Sequence, residues 1–163
     1  MCNTKDAKKV VHVMSNLDDM NQVDLVKGRM PKKENECFVD IDFLKSSGYK
    51  LGDEIVLESG TDDPLADSLK NETYKIVGAG SSPCYISFER GSSAIGTGEV
   101  SGFIVVPESA FAMDVYTEIY MTVEDALDEV AFTEGYDSVV EQTMQRVESM
   151  KQERQQARHD EIV

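Results

Sequence analysis

The chain has 163 residues, 31 Asp and Glu against 16 Lys and Arg, a formal net charge of −15, 40% hydrophobic residues and no tryptophan. That length suffices for one domain, or two small ones, to bury a core. The carboxylate excess excludes a nucleic-acid binder, which concentrates Lys and Arg against phosphates, and a peripheral protein that rests on anionic headgroups.

Residues 1–9 read as a polar lead-in. Val10-Val11-His12-Val13-Met14 is a β-branched run that predicts a strand, and Val23-Asp24-Leu25-Val26 alternates as an edge strand. Gly28-Arg29-Met30-Pro31 forces a turn, because glycine tolerates positive φ and proline keeps the preceding residue extended. Glu36-Cys37-Phe38-Val39-Asp40 predicts a further strand. Asp40 or Asp42 is placed to cap a short helix through Phe43, Leu44 and Lys45 that Gly48 stops. Ile55-Val56-Leu57-Glu58 follows a Gly-Asp turn as a strand, 59–71 reads as an exposed loop, and Thr73-Tyr74-Lys75-Ile76-Val77-Gly78 alternates clearly. The stretch 78–102 is rich in glycine and serine, with a strand possible at Cys84-Tyr85-Ile86-Ser87-Phe88. Phe103-Ile104-Val105-Val106 is a strand stopped by Pro107, a single helical turn fits 108–111, and 116–123 alternates as a strand.

After Gly135 the texture changes. No glycine or proline follows, and Tyr136, Val140, Met144, Val147 and Met150 lie on one helical stripe. The stripe ends at Met150 while helix-favouring polar residues continue, an arrangement marginal in water without a packing partner. The chain stops in mid-pattern without a capping glycine, which we read as a helix continuing in a longer parent. The fold expected is α+β: short mixed strands with few short helices over residues 1–134, and one long helix over 135–163.

Sequence chemistry is sparse. Gly78-Ala79-Gly80 follows a strand, but Ser82-Pro83 stands where a phosphate-binding loop needs a helix N-terminus, so a turn is expected there. The three cysteines, Cys2, Cys37 and Cys84, have no metal or redox spacing, and the apolar neighbours of Cys37 and Cys84 predict buried thiols. Cys84 as a nucleophile would need His12 or His159, and nothing in the sequence brings either near it. Asp62, Asp63 and Asp67 lack calcium-loop spacing and read as a solvated acidic loop. Neither an 18-residue apolar run nor a secretory leader is present. No catalytic, cofactor-binding or metal motif emerges, so the chain is expected to be no enzyme.

Four segments, in order over about residues 23–107, carry a resemblance. They are Val26-Lys27-Gly28-Arg29-Met30-Pro31 with Glu34-Asn35-Glu36-Cys37-Phe38-Val39-Asp40; Tyr49-Lys50-Leu51-Gly52-Asp53-Glu54-Ile55; Tyr74-Lys75-Ile76-Val77-Gly78; and Ser82-Pro83-Cys84-Tyr85-Ile86-Ser87 with Glu89-Arg90-Gly91 and Gly96-Thr97-Gly98. Together they resemble the extracytoplasmic domain of FtsX-like (MacB-like) ABC-transporter permeases, in particular the long permeases of Gram-positive anaerobes. The resemblance implies a MacB periplasmic-core-like fold on the extracellular side of the cell membrane, with 135–163 a stalk toward a transmembrane segment. It implies a non-catalytic domain that contacts cargo (lipid, peptide or lipoprotein) or an extracellular partner, while a separate ATP-binding subunit hydrolyses ATP. Absence of a Walker lysine motif agrees with that division. The alternative is a free-standing binding or adaptor protein that dimerises through the C-terminal helix. Candidate contacts are Tyr85, Phe88, Arg90 and Ile95, because apolar and aromatic residues on a loop are commonly used. Tyr85 and Phe88 can equally serve core packing, and Arg90 an ion pair with one of the many carboxylates.

Overall fold

The fold buries its apolar runs by curling one sheet onto itself. The computed structural model describes residues 1–6, 8–113 and 115–162. Its strands are β1 (Cys2–Thr4), β2 (Val10–Ser15), β3 (Asp24–Gly28), β4 (Glu36–Asp40), β5 (Glu54–Ser59), β6 (Thr73–Ser81) and β7 (Val100–Val106). Two helices, α1 (Ile41–Ser47) and α2 (Glu134–Ile162), and short 3-10 turns at Leu65–Asp67, Glu108–Ala110 and Glu124–Asp128 complete the described elements. Contacts divide the chain into two units, Met1–Val115 and Tyr116–Val163.

In the first unit six strands close a ring in the order β6-β4-β7-β2-β1-β5, and β5 returns to β6. The ring is mixed: β2 runs parallel to β7 and β4 parallel to β6, while the other pairs are antiparallel. Strand β6 is long enough to serve two neighbours along one edge. Its first residues, Thr73–Lys75, pair with β5, and Gly78–Ser81 pair with β3, which lies outside the ring. Each ring strand sends alternate residues inward, as the period of two demands. Cys2, Val11, Cys37, Val39, Ile55, Leu57, Tyr74, Ile76, Ile104 and Val106 fill the lumen, joined by Phe43 and Leu44 of α1.

Strands β4 and β7 are buried on both faces. Their intervening residues, Phe38, Phe103 and Val105, form a second cluster with Met14, Val23, Met30 and Tyr85. Burial on two faces is why both strands read as continuous apolar runs rather than alternating ones. Helix α1 forms as the sequence predicts. The Asp40 carboxylate accepts from the Asp42 backbone N–H at 2.9 Å, and Gly48 closes the helix in the left-handed conformation at φ 84°.

Several expectations are corrected. The lead-in contains β1, which pairs with both β2 and β5 and so completes the ring. Its three residues are too few to show a period. No strand forms at 84–88, because the chain turns at Pro83 and Cys84 immediately after β6. None forms at 116–123 either: the ring closes without it, and among the described residues no strand pairs with it.

In the second unit, α2 covers 29 residues, about 44 Å at 1.5 Å per residue. The Thr133 hydroxyl accepts from the Tyr136 backbone N–H at 3.4 Å and opens the helix. Tyr136, Val140 and Val147 of the predicted stripe are half-buried, Met144 and Met150 are exposed, and 148–161 is exposed throughout. Val163, at the end of the predicted helix, lies outside the described residues. Among the described residues no helix is long and apolar enough to cross a membrane.

Candidate functional site

Arg90 organises the glycine-rich loop. Its Nε donates to Asp40 Oδ2 at 2.8 Å, and its Nη2 reaches Asp42 Oδ2 at 3.2 Å. Nη1 donates to the Tyr85 carbonyl at 3.1 Å and to the Ser87 carbonyl. Asp40 is fully buried and the Arg90 side chain is 11% exposed, so the pair sits largely out of water. Asp40 thus holds two elements at once, α1 through Oδ1 and the loop through Oδ2. One planar guanidinium with five donors fixes the path of 85–90, a geometry that a lysine could not reproduce.

Tyr85 is the second anchor. Its ring stacks on Phe103 with centroids 5.2 Å apart and planes 8° apart, and its hydroxyl bonds to His12 Nδ1 of β2. Phe103 stacks in turn on Phe38 at 6.4 Å. The loop therefore roofs the outer cluster with Tyr85 and turns its next apolar residues outward. Ile86 is 92% exposed and Phe88 is 99% exposed, on a segment held from both sides by Tyr85 and Arg90. Two fully solvated apolar side chains on an anchored loop form a small projection suited to contact.

The four candidate residues thus occupy different places. Phe88 projects into solvent, and Tyr85 is half-buried against the outer cluster. Arg90 forms its ion pair beneath the loop. Ile95 is half-buried beside Gly60, where a Cβ would overlap its side chain. Ile86 was not singled out by sequence, nor were Asp40 and His12 as partners of Arg90 and Tyr85, which lie 50 and 73 residues away along the chain. The available signal was an apolar segment bracketed by Pro83 and Gly91 with no ladder to enter.

The other sequence candidates resolve structurally. Gly78-Ala79-Gly80 is strand interior rather than a turn: β6 is flanked by β3 and β4, and a Cβ at Gly80 would overlap the Asp24 carbonyl and lie 2.8 Å from the Phe38 ring. Cys37 is buried, and burial raises its thiol pKa far above the ordinary value. Cys84 is exposed, against expectation, because the turn after β6 (Tyr85 N–H to the Ser82 carbonyl, 3.0 Å) puts it at the surface. Asp62, Asp63 and Asp67 are solvated. Among the described residues no three His, Cys, Asp or Glu side chains converge to hold a metal.

A second ion pair secures the turn before β4. Arg29 grips Glu36 through both terminal nitrogens, at 2.8 and 2.6 Å. The Lys32 and Lys33 backbone N–H groups also donate to Glu36, at 2.9 and 3.3 Å. The Arg29 hydrogen bond, followed by that from Lys32, lowers the Glu36 carboxyl to about 2. No protein-family model, curated protein or solved structure matches the chain.

Proposed function

We propose that the chain is the non-catalytic extracytoplasmic domain of an FtsX-like (MacB-like) ABC-transporter permease. On this reading the Met1–Val115 barrel contacts cargo or an extracellular partner through the 85–90 projection, and α2 carries the conformational change driven by a separate ATP-binding subunit. The observation that supports it best is the projection itself. A buried Arg90–Asp40 pair and a stacked Tyr85 flank Ile86 and Phe88 and leave both exposed to solvent, an arrangement suited to contact. The four segments behind the resemblance also fall on connected parts of the barrel: the β3–β4 turn and β4, the turn into β5, the body of β6, and the projection.

The reading is tested on the full-length protein in its own cells. Cys84 is exposed, while Cys2 and Cys37 are buried, so Cys84 is the expected reporter. A membrane-impermeant maleimide should label Cys84 on intact cells, with Cys84→Ser abolishing the signal. Labelling only after lysis would overturn the extracellular placement. The exposed Met144 and Met150 favour one rival, an adaptor that dimerises through α2. That rival requires a parent reading frame without hydrophobic segments beside this stretch.

A further inference from the structure

A groove of about 400 Å³ lies where β3 faces the C-terminal end of α1. Its cationic lining is Lys27 of β3, Lys45 of the last turn of α1, and Lys50 just beyond the Gly48 cap. The chain carries 31 carboxylates against 16 cations, so three lysines converging on one groove run against its composition. Lys27 and Lys50 form no ion pair among the described residues. Lys45 meets Asp42 at 3.1 Å, a carboxylate that Arg90 shares at 3.2 Å. A helix C-terminus favours a nearby cation, which accounts for Lys45 but not for a lysine from β3 or one past the cap.

The floor of the same groove is apolar. Ile41, Leu44, Tyr49 and Leu51 line it; Leu44 is nearly buried and Leu51 is 40% exposed. Tyr49 adds its ring to this floor, while its hydroxyl is buried away from solvent. Two carboxylates stand nearby: Asp42, paired with Lys45 and Arg90, and Asp53, which accepts from the Lys50 backbone N–H at 2.9 Å.

We propose that this groove binds a single-chain anionic amphiphile, with the phosphate head among Lys27, Lys45 and Lys50 and the apolar chain along Leu44, Tyr49 and Leu51. An apolar floor beside exposed cations suits a ligand with one charged end and one apolar chain. The net charge of −15 keeps the chain off an anionic bilayer, but at physiological salt the field at a groove is set by charges within about 8–10 Å. The proposal does not depend on the transporter reading, since the site lies wholly within the barrel unit and is tested on the chain alone.

The experiment is a titration of the ¹⁵N-labelled full chain with dodecyl phosphate below its micelle concentration, beside parallel titrations with inorganic phosphate and dodecyl maltoside. The expected result is saturable amide shifts at Lys27 and across 41–51 with dodecyl phosphate only. A Lys27→Glu/Lys50→Glu variant and Leu51→Asp should each weaken binding at least tenfold, while Lys70→Glu, which alters a cation paired elsewhere with Glu34, leaves it unchanged. These lysines and Leu51 are exposed, and an unchanged circular dichroism spectrum confirms that each variant folds. Equal shifts with inorganic phosphate or with dodecyl maltoside would overturn the proposal, as would shifts centred on Ile86 and Phe88 or full affinity in the double variant.

Discussion

Two segments of this chain read alike as strands and end in opposite states. Phe103-Ile104-Val105-Val106 lies in β7 with every residue at 0% exposure, whereas 116–123 forms no strand and leaves Tyr116 79% and Ile119 77% exposed. Both have β-branched and aromatic residues at strand spacing. The difference is a partner: β7 lies between β2 and β4, and its two faces meet the lumen and the outer cluster. β-propensity therefore expresses how well a side chain fits a pleated, partly buried surface, and without that surface it organises nothing. Burial in the barrel unit is consequently a matter of pairing, and its disruption should be felt cooperatively there and hardly at all in 116–133.

The largest break of that contrast is expected from Asp40→Ala. It strands the nearly buried Arg90 without its main partner and uncaps α1, a loss of about 3–5 kcal/mol in denaturant unfolding. Amide exchange across 85–90 should accelerate in the same variant. Next comes Ile104→Ala, which opens a cavity in the lumen at a cost of about 2–5 kcal/mol. A smaller value there would mean that the ring collapses onto the void.

Acid sharpens the contrast from another side. The Glu36 carboxyl is lowered in the folded state, so its contribution is complete above its ordinary value of 4.5 and fades as pH falls toward about 2. Unfolding midpoints of the native chain and Glu36→Gln should differ at pH 6 and converge as pH falls through that window. Parallel curves would show that Arg29 does not hold Glu36 ionised. The smallest effects are expected in the second unit. Ile119→Ser and Phe132→Ser remove exposed side chains, 77% and 96% accessible, and should each shift stability by no more than about 0.5 kcal/mol. A larger loss would mean that these residues pack against something.

Local signals carried much of this. β2 to β7, α1 with its Asp40 and Gly48 ends, the turn after Pro107 and the long helix all follow from periodicity, caps and breakers. Strand β1 was not legible, because three residues between polar neighbours carry no period and pair only when β2 and β5 are already in place. At the candidate site the sequence pointed to the loop and to Phe88, and to an ion pair for Arg90. It could not identify the carboxylate among 31, since Asp40 is 50 residues away and reaches Arg90 only where β4 passes into α1. Nor could it separate Tyr85 from Phe88, which share the same local texture and differ in whether Phe103 lies beneath them.

The excess of carboxylates, the α+β class, most of the strands and the final helix were determined by the sequence itself, because they rest on composition and on interactions among near neighbours. Closure of six strands into a ring, the second buried face of β4 and β7, the outward turn of Ile86 and Phe88, and the meeting of Lys27, Lys45 and Lys50 were decided only by tertiary structure. Each of these depends on residues distant along the chain coming to one place, and no local pattern records which surfaces will meet.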